Sequence, residues 1–133
     1  ILKARLTELF KLPYKDFIIK PADVFENTNN YFVVNYTTMD NYALGHIGGS
    51  FNFEPHASLT SNTDLLSLPT DKQIVVYDET GLKAAYVVAY LNVLGYKTGN
   101  LAYGANGFMN DNLKKHNMDA FSKKEINMYP VIE

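Results

Sequence analysis

The stretch that decides the fold is residues 74–95, IVVYDETGLKAAYVVAYLNVLG. Its first four residues form a continuous apolar run, typical of a strand buried on both faces of a parallel sheet. Over 83–94 the apolar side chains recur with the period of a helix, and Gly95 supplies the stop. The tight loop at 78–82 points backbone N–H groups and a helix N-terminus toward one spot. The pattern therefore predicts a strand, an anion-attracting loop headed by Asp78, and a helix.

Length and composition narrow the classes of protein to consider. A chain of 133 residues fits one domain, and its 12 basic and 14 acidic residues give a net charge of -2, which argues against a nucleic-acid partner. The longest apolar runs are far shorter than a membrane span. The absence of cysteine excludes disulfides, thiolate metal sites and cysteine nucleophiles. Because the sequence starts at Ile1 without methionine, we expect a processed product or an excised piece of a longer protein.

Outside the central stretch, strand-like runs alternate with helical patterns. The predicted strands are 17–19, 31–36, 50–53, 74–77 and 99–103. The predicted helices are 1–11, 21–25, 39–44, 65–68, 83–94 and the segment that follows a turn at 104–108 and ends near 115. This alternation indicates a parallel α/β sheet with right-handed crossovers. The tail, 117–133, is expected to pack across the body through Phe121, Ile126 and Tyr129.

Three segments of the chain resemble the rhodanese family. Residues 42–52, YALGHIGGSFN, are similar to the signature in which an aromatic residue precedes a Gly-His-Ile turn and a short strand. Residues 74–95 resemble the active-site strand, loop and helix, and 101–108, LAYGANGF, resemble the closing Gly-x-x-Gly-aromatic segment. All three follow the family's order and spacing. The resemblance implies a single domain with a three-layer α/β/α sandwich around a five-stranded parallel sheet, and sulfur transfer through a cysteine persulfide.

The resemblance places that reactive cysteine at the head of the loop, where this chain has Asp78. A carboxylate cannot carry a sulfane sulfur. Thr80 and Gly81 fit the family pattern, and Lys83 stands for the basic residue that often ends the loop. A second departure lies at 35–37, where Asn-Tyr-Thr replaces a common Asp-x-Arg. We therefore interpret the domain as catalytically silent, with a degenerate active-site loop. That loop comprises Asp78, Glu79, Thr80, Gly81, Leu82 and Lys83.

Asp78 has three interpretations. In the first, which we favour, its carboxylate accepts the N–H groups of its own loop and blocks the pocket to external anions. In the second, Asp78 selects a cationic or hydroxyl-bearing ligand with help from Thr80 and Lys83. The third is nucleophilic aspartate chemistry, but the loop lacks the second aspartate of the haloacid-dehalogenase pattern and shows no Mg²⁺ cluster.

Tyrosine is abundant, with ten residues. Three of them are expected to pack between the central helix and the sheet rather than to form a ligand box: Tyr77, Tyr86 and Tyr90. Tyr103, in contrast, sits at a strand end near the presumed pocket and is a candidate ligand-binding residue.

The three histidines do not suggest a metal site. His46 lies in the Gly-His-Ile turn, where we expect its ring to bond to local backbone rather than to act as a base. His56 lies in a polar loop and His116 near a helix end. No pair has ligand spacing on one element, so we predict neither a metal nor a cofactor.

These observations favour a non-enzymatic rhodanese-like domain with a recognition or regulatory role. The family often pairs a silent domain with an active one, so the expected partner is another rhodanese-like domain or a different protein. The alternative is an enzyme with residual sulfurtransferase or Asp78-dependent hydrolytic activity at the 78–83 loop, and a third possibility is a purely structural interaction module. The tail at 121–130 resembles extensions of exported bacterial rhodanese-like proteins, and exported and cytoplasmic locations both stay open.

Overall fold

The computed structural model describes residues 1–57, 59, 64–125, 127–130 and 132, and its centre is a five-stranded sheet. The strands are β1 (Ile18–Ile19), β2 (Tyr31–Asn35), β3 (Phe51–Asn52), β4 (Gln73–Tyr77) and β5 (Thr98–Leu101). Their order across the sheet is β1-β5-β4-β2-β3, and every neighbouring pair is parallel. The predicted five-stranded parallel sheet is confirmed, with β4 in the middle. The other four strands, β1, β2, β3 and β5, are each one or two residues shorter than predicted.

The described residues form five α-helices. They are α1 (Leu2–Leu9), α2 (Pro21–Glu26), α3 (Met39–Leu44), α4 (Leu82–Leu94) and α5 (Asn106–Lys115). Local sequence explains several of their ends. Pro21 begins α2, where its fixed φ suits a first turn. The Thr38 hydroxyl accepts the Asn41 N–H and caps α3, and Gly95, at φ 101°, ends α4 in the left-handed conformation.

The two faces of the sheet carry separate apolar cores. Successive residues of β4 point to opposite faces, so Ile74 and Val76 pack on one side while Val75 and Tyr77 pack on the other. The first core is completed by α4 through Ala84, Val87, Val88 and Leu91. The second is completed mainly by α2 and α5, through Val24 and Leu113. Burial of each of these aliphatic side chains contributes about 1.5–3 kcal/mol to the free energy of folding. With helices packed on both faces of the sheet, the domain has the expected three-layer α/β/α arrangement.

Two of the three tyrosines expected between helix and sheet lie elsewhere. Tyr77 is buried, but Tyr86 is 75% exposed and Tyr90 is also exposed. At 100° per residue, positions 86 and 90 fall on the side of α4 opposite the buried stripe that ends at Leu91. The prediction was wrong for Tyr86 and Tyr90 because α4 is apolar on every side, so apolar character alone does not identify the buried face.

The tail contacts the body near its beginning. Met118 and Ala120 pack against the second core, and the Phe121 N–H donates to Asn106 Oδ1 at 2.7 Å. Tyr129 is 77% exposed, and Ile126 lies outside the described residues. In the part of the chain described, no helix combines the length and the apolar character that crossing a membrane requires.

Candidate functional site

The loop of interest lies at the carboxyl end of the central strand. It connects β4 to α4, and its flanks are the carboxyl ends of β2 and β5, which neighbour β4 in the sheet. In open α/β sheets, sites form in this position because several strand ends and helix N-termini converge there. The loop comprises residues 78–81, and the last two residues of the predicted 78–83 loop form the start of α4.

The Asp78 carboxylate is turned into its own loop. Oδ1 accepts the Gly81 N–H at 2.5 Å and Oδ2 accepts the Lys83 N–H at 3.0 Å. Gly81 makes this possible with φ at 94°, a left-handed conformation that a glycine adopts without steric cost. Asp78 is only 3% exposed. The N–H groups that would attract an external anion are therefore already bonded to a carboxylate of the chain, as the first interpretation of Asp78 expects.

Burial and hydrogen bonding act in opposite directions on this carboxyl group. Removal from water raises the pKa of Asp78, and the neighbouring charge of Glu79 raises it further. The hydrogen bonds from Gly81 and Lys83 lower it, but the net pKa lies above the ordinary value of 3.8. The site thus holds its carboxylate against a desolvation penalty that the two N–H groups only partly offset.

Glu79, the next residue, is a second enclosed carboxylate, at 6% exposed. Its Oε1 accepts a hydrogen bond from the Thr37 hydroxyl at 2.7 Å and one from Asn41 Nδ2 at 3.4 Å. Thr37 occupies the place where the family resemblance expects an arginine. Within the described ranges, the two ion pairs are Lys11 with Glu8 and Lys114 with Asp111, and neither involves the loop. Sequence reasoning named Glu79 as part of the loop but missed this partnership.

The segment after β5 closes the loop from the other side. The Ala105 N–H donates to the Asp78 carbonyl at 2.8 Å. Asn106 donates to the Glu79 carbonyl twice, through its N–H at 3.1 Å and its Nδ2 at 2.7 Å. Asn100 Nδ2, on β5, donates to the Gly81 carbonyl at 3.0 Å. These asparagines were not predicted as site residues, although the matched segment at 101–108 marked their neighbourhood.

Gly104 is required by this closure. Its φ is 56°, and a Cβ built there would collide with the carbonyl oxygen of Asp78 and lie 2.9 Å from the backbone of Glu79. The chain segments on the two sides of the site are thus in direct backbone contact. A side chain at this position would push them apart.

The space enclosed behind the loop is small. A cavity of about 10 Å³ lies among Thr37, Asn41, Tyr77, Asp78 and Glu79. That volume accommodates about one water molecule. Tyr77 is held here by the Ile47 N–H, which donates to its hydroxyl at 3.0 Å, and burial raises the pKa of Tyr77. The cavity has no room for a substrate-sized group.

The other candidate binding residues lie on the outside of the loop. The Thr80 hydroxyl accepts the Leu82 N–H at 3.3 Å. The side chains of Leu82, Lys83 and Tyr103 are exposed, and Tyr103 adopts a positive φ of 62°. Asp78 and the candidates Lys83 and Tyr103 therefore differ in orientation, because the carboxylate faces inward while the other two side chains face solvent.

The Gly-His-Ile turn has a local structural basis. His46 Nδ1 lies 2.8 Å from the Tyr42 carbonyl oxygen, and the two rings stack with centroids 3.7 Å apart. The histidine ring thus bonds to the backbone of its own turn. Among the residues that the structure describes, no group of three histidine, aspartate or glutamate side chains is arranged to hold a metal ion.

Comparison with known proteins agrees with this geometry. The family model of the rhodanese-like domain matches residues 21–111. A crystal structure of a rhodanese-related protein from Thermoplasma volcanium superposes with a TM-score of 0.62 at 26% identity, covering 70% of this chain and 90% of that one. A protein from Bacillus halodurans superposes with a TM-score of 0.62 at 17% identity, covering 98% of this chain and 93% of that one.

A third structure, a rhodanese-like domain protein from Staphylococcus aureus, gives a TM-score of 0.60 at 20% identity over 68% of this chain and 89% of that one. No curated protein sequence matches the chain. The family model covers well over half of the residues, and the sheet, loop and closing segment all have the arrangement that the family resemblance implies. The chain belongs to the rhodanese-like domain family.

Proposed function

We propose that this chain is a catalytically inactive rhodanese-like domain that acts in recognition or regulation. One observation carries the proposal. The residue at the head of the loop is Asp78, and both of its carboxylate oxygens accept N–H groups of the loop itself. At the position of the family's nucleophile, this chain therefore has a carboxylate that is bonded to the N–H groups which would otherwise bind an anion.

The chemistry of sulfur transfer supports this proposal. A persulfide carrier needs a thiolate that accepts the loop N–H groups and leaves its sulfur free to react. A carboxylate offers no equivalent atom for a sulfane sulfur, and the chain contains no cysteine to replace it. With the Asp78 carboxylate in place, the cavity of about 10 Å³ behind the loop is also too small to admit thiosulfate.

Hydrolysis by Asp78 is the alternative from the enzyme class. A nucleophilic or basic carboxylate needs one oxygen directed at the reacting atom. Here both oxygens are directed at the backbone of 81–83 and accept N–H groups there. No contact in the described structure favours this alternative.

Recognition would use a protein partner, such as another rhodanese-like domain in the same or a second chain. The exposed rim of the loop, formed by Leu82, Lys83 and Tyr103, offers one cation between apolar and aromatic side chains. Such a rim resembles a protein contact more than a substrate pocket. A bacterial source fits the Staphylococcus and Bacillus proteins that share the fold.

Turnover of thiosulfate and cyanide to thiocyanate tests the proposal. We expect no rate above the uncatalysed reaction, and the same rate for Asp78→Ala, because the carboxylate does not take part in chemistry. The matched control is Glu79→Gln, which alters the other enclosed carboxylate. A rate that depends on Asp78, in this assay or with ester and phosphoester substrates, would replace the proposal with the enzyme alternative.

A further inference from the structure

Helix α4 is apolar on every side. Of its thirteen residues, Lys83 and Asn92 are the two that are neither apolar nor tyrosine. Helices of this kind are normally buried all round. Here one side packs on the sheet, while Leu82, Tyr86 and Tyr90 lie exposed on the other. They are 67%, 75% and 43% exposed, so most of Leu82 and Tyr86 and part of Tyr90 face solvent.

Helix α1 extends the same exposed surface. It lies beside α4 and is fixed by Arg5, whose Nη1 donates to the Leu94 carbonyl at 2.9 Å at the carboxyl end of α4. No residue of α1 is buried. Phe10, which directly follows α1, is 83% exposed, and Leu12 and Tyr14 are exposed as well.

A groove lies between α4 and the segment formed by α1 and the residues that follow it. It encloses about 310 Å³ between Leu9, Phe10 and Tyr14 on one wall and Ala89 and Val93 on the other. Asn92, the amide in the lining, is already bonded, because its Nδ2 donates to the carbonyls of Val88 and Thr98. The rest of the lining is aliphatic or aromatic, so the groove favours an apolar occupant.

The exposed side chains of Leu82, Tyr86 and Tyr90 form a ridge on α4 that lies beside the groove. Positions 86, 89 and 93 follow one another at heptad spacing, so Tyr86 stands next to the groove wall formed by Ala89 and Val93. A surface that carries both a ridge and a groove can pair with itself. About a two-fold axis, the ridge of each copy enters the groove of the other.

The exposed area is close to what a stable dimer needs. We define the α1–α4 surface by six residues: Phe10, Leu12, Tyr14, Leu82, Tyr86 and Tyr90. With aromatic side chains of about 150–250 Å² each, their exposed portions amount to roughly 700 Å². Specific interfaces bury about 800 Å² per partner, and patches above a few hundred Å² are rare on monomers.

Charge and composition also favour a second copy over a charged partner. None of the six residues is charged, and Lys83 stands at one end. Homodimer interfaces are the most apolar class, with aromatic residues enriched and charges depleted at their centre. We propose that the α1–α4 surface is a two-fold interface between two copies of this chain. The proposal concerns a different surface from the inward-facing Asp78 and does not depend on the proposed function.

Sedimentation equilibrium from micromolar to submillimolar protein tests the proposal. We expect the wild type to reach twice its monomer mass of 15.0 kDa, about 30 kDa. Tyr86→Glu places a charge at the centre of the surface and should raise the dimer dissociation constant at least ten-fold. Tyr129→Glu is the matched control, because Tyr129 is 77% exposed and lies outside the surface, and it should leave the constant unchanged.

Circular dichroism of each variant verifies that the fold is intact, which is expected because both tyrosines are exposed. A wild type that stays monomeric throughout overturns the proposal. A dimer that survives Tyr86→Glu, or one that Tyr129→Glu also dissociates, overturns it too. None of these outcomes changes the thiosulfate result, so the interface and the catalytic inactivity fail or stand separately.

Discussion

The loop at the end of β4 and the α1–α4 surface differ in nearly every physical respect. The loop is polar and enclosed, and its two carboxylates are bonded by Thr37, Asn41 and the N–H groups of its own backbone. The surface is apolar and open, with Tyr86 three-quarters exposed. The site where the family performs chemistry is closed in this chain. The surface that we propose as an interface lies on the outer side of α4, the helix that follows the loop.

This contrast supports the proposal that the scaffold is kept while its sulfur-transfer chemistry is lost. The Asp78 carboxylate accepts the N–H groups of Gly81 and Lys83, so the loop geometry requires neither a bound anion nor a thiolate. Asn106 and Ala105 then hold the loop backbone against the segment after β5. The turn is held by hydrogen bonds within the chain, and the cavity behind it is about 10 Å³.

The largest effect is expected from forcing the closed site open. Gly104→Ala should lower the free energy of unfolding by about 3 kcal/mol, because the new Cβ meets the Asp78 carbonyl and the residue must keep a positive φ. Gly49→Ala is the matched control and should cost about 1 kcal/mol, since Gly49 has φ 81° but no neighbouring atom within 4 Å of the place that a methyl group would take. Urea unfolding measures both. Equal losses would mean that the site is not tightly closed.

A smaller effect is expected from removing one partner inside the site. Thr37→Val deletes the hydroxyl that donates to Glu79 and leaves an enclosed carboxylate short of a hydrogen bond, so it should cost about 2 kcal/mol. On the open surface, Phe10→Ala should change stability by about 0.5 kcal/mol or less when measured on dilute protein, because the side chain is mostly in water. Thermal or urea unfolding compares the two. A larger loss of stability in Phe10→Ala than in Thr37→Val would contradict the contrast between the two regions.

Much of the contrast could be predicted from the sequence. The run at 74–77 and the glycines at 81 and 95 located the central strand, loop and helix nearly to the residue, because each signal is local. The partnership of Thr37 with Glu79 spans 42 positions and leaves no local signal. The exposed side of α4 was missed for a related reason, since an evenly apolar helix does not reveal which face the sheet covers.

The smallest effect is the pH dependence that Asp78 adds. Because its pKa is raised in the folded state, the folded protein binds this proton more tightly than the unfolded chain does. Stability from this group is therefore present at low pH and is lost as pH rises from the ordinary value of 3.8 through the raised one. Unfolding free energies across that window, compared with Asp78→Asn, should fall more with pH in the wild type. A wild type that gains stability over the variant would contradict the raised pKa.

The central claim is that the nucleophile has been replaced while the loop around it is kept. Intact-mass spectrometry after incubation with thiosulfate tests it most directly, with the wild type beside Asp78→Cys. We predict that the variant gains one sulfur atom and the wild type gains none, because removing the carboxylate frees the Gly81 and Lys83 N–H groups to bind the anion and support a thiolate. Sulfur on the wild type would contradict the claim of inactivity, and an unmodified variant would contradict the claim that the loop keeps its geometry.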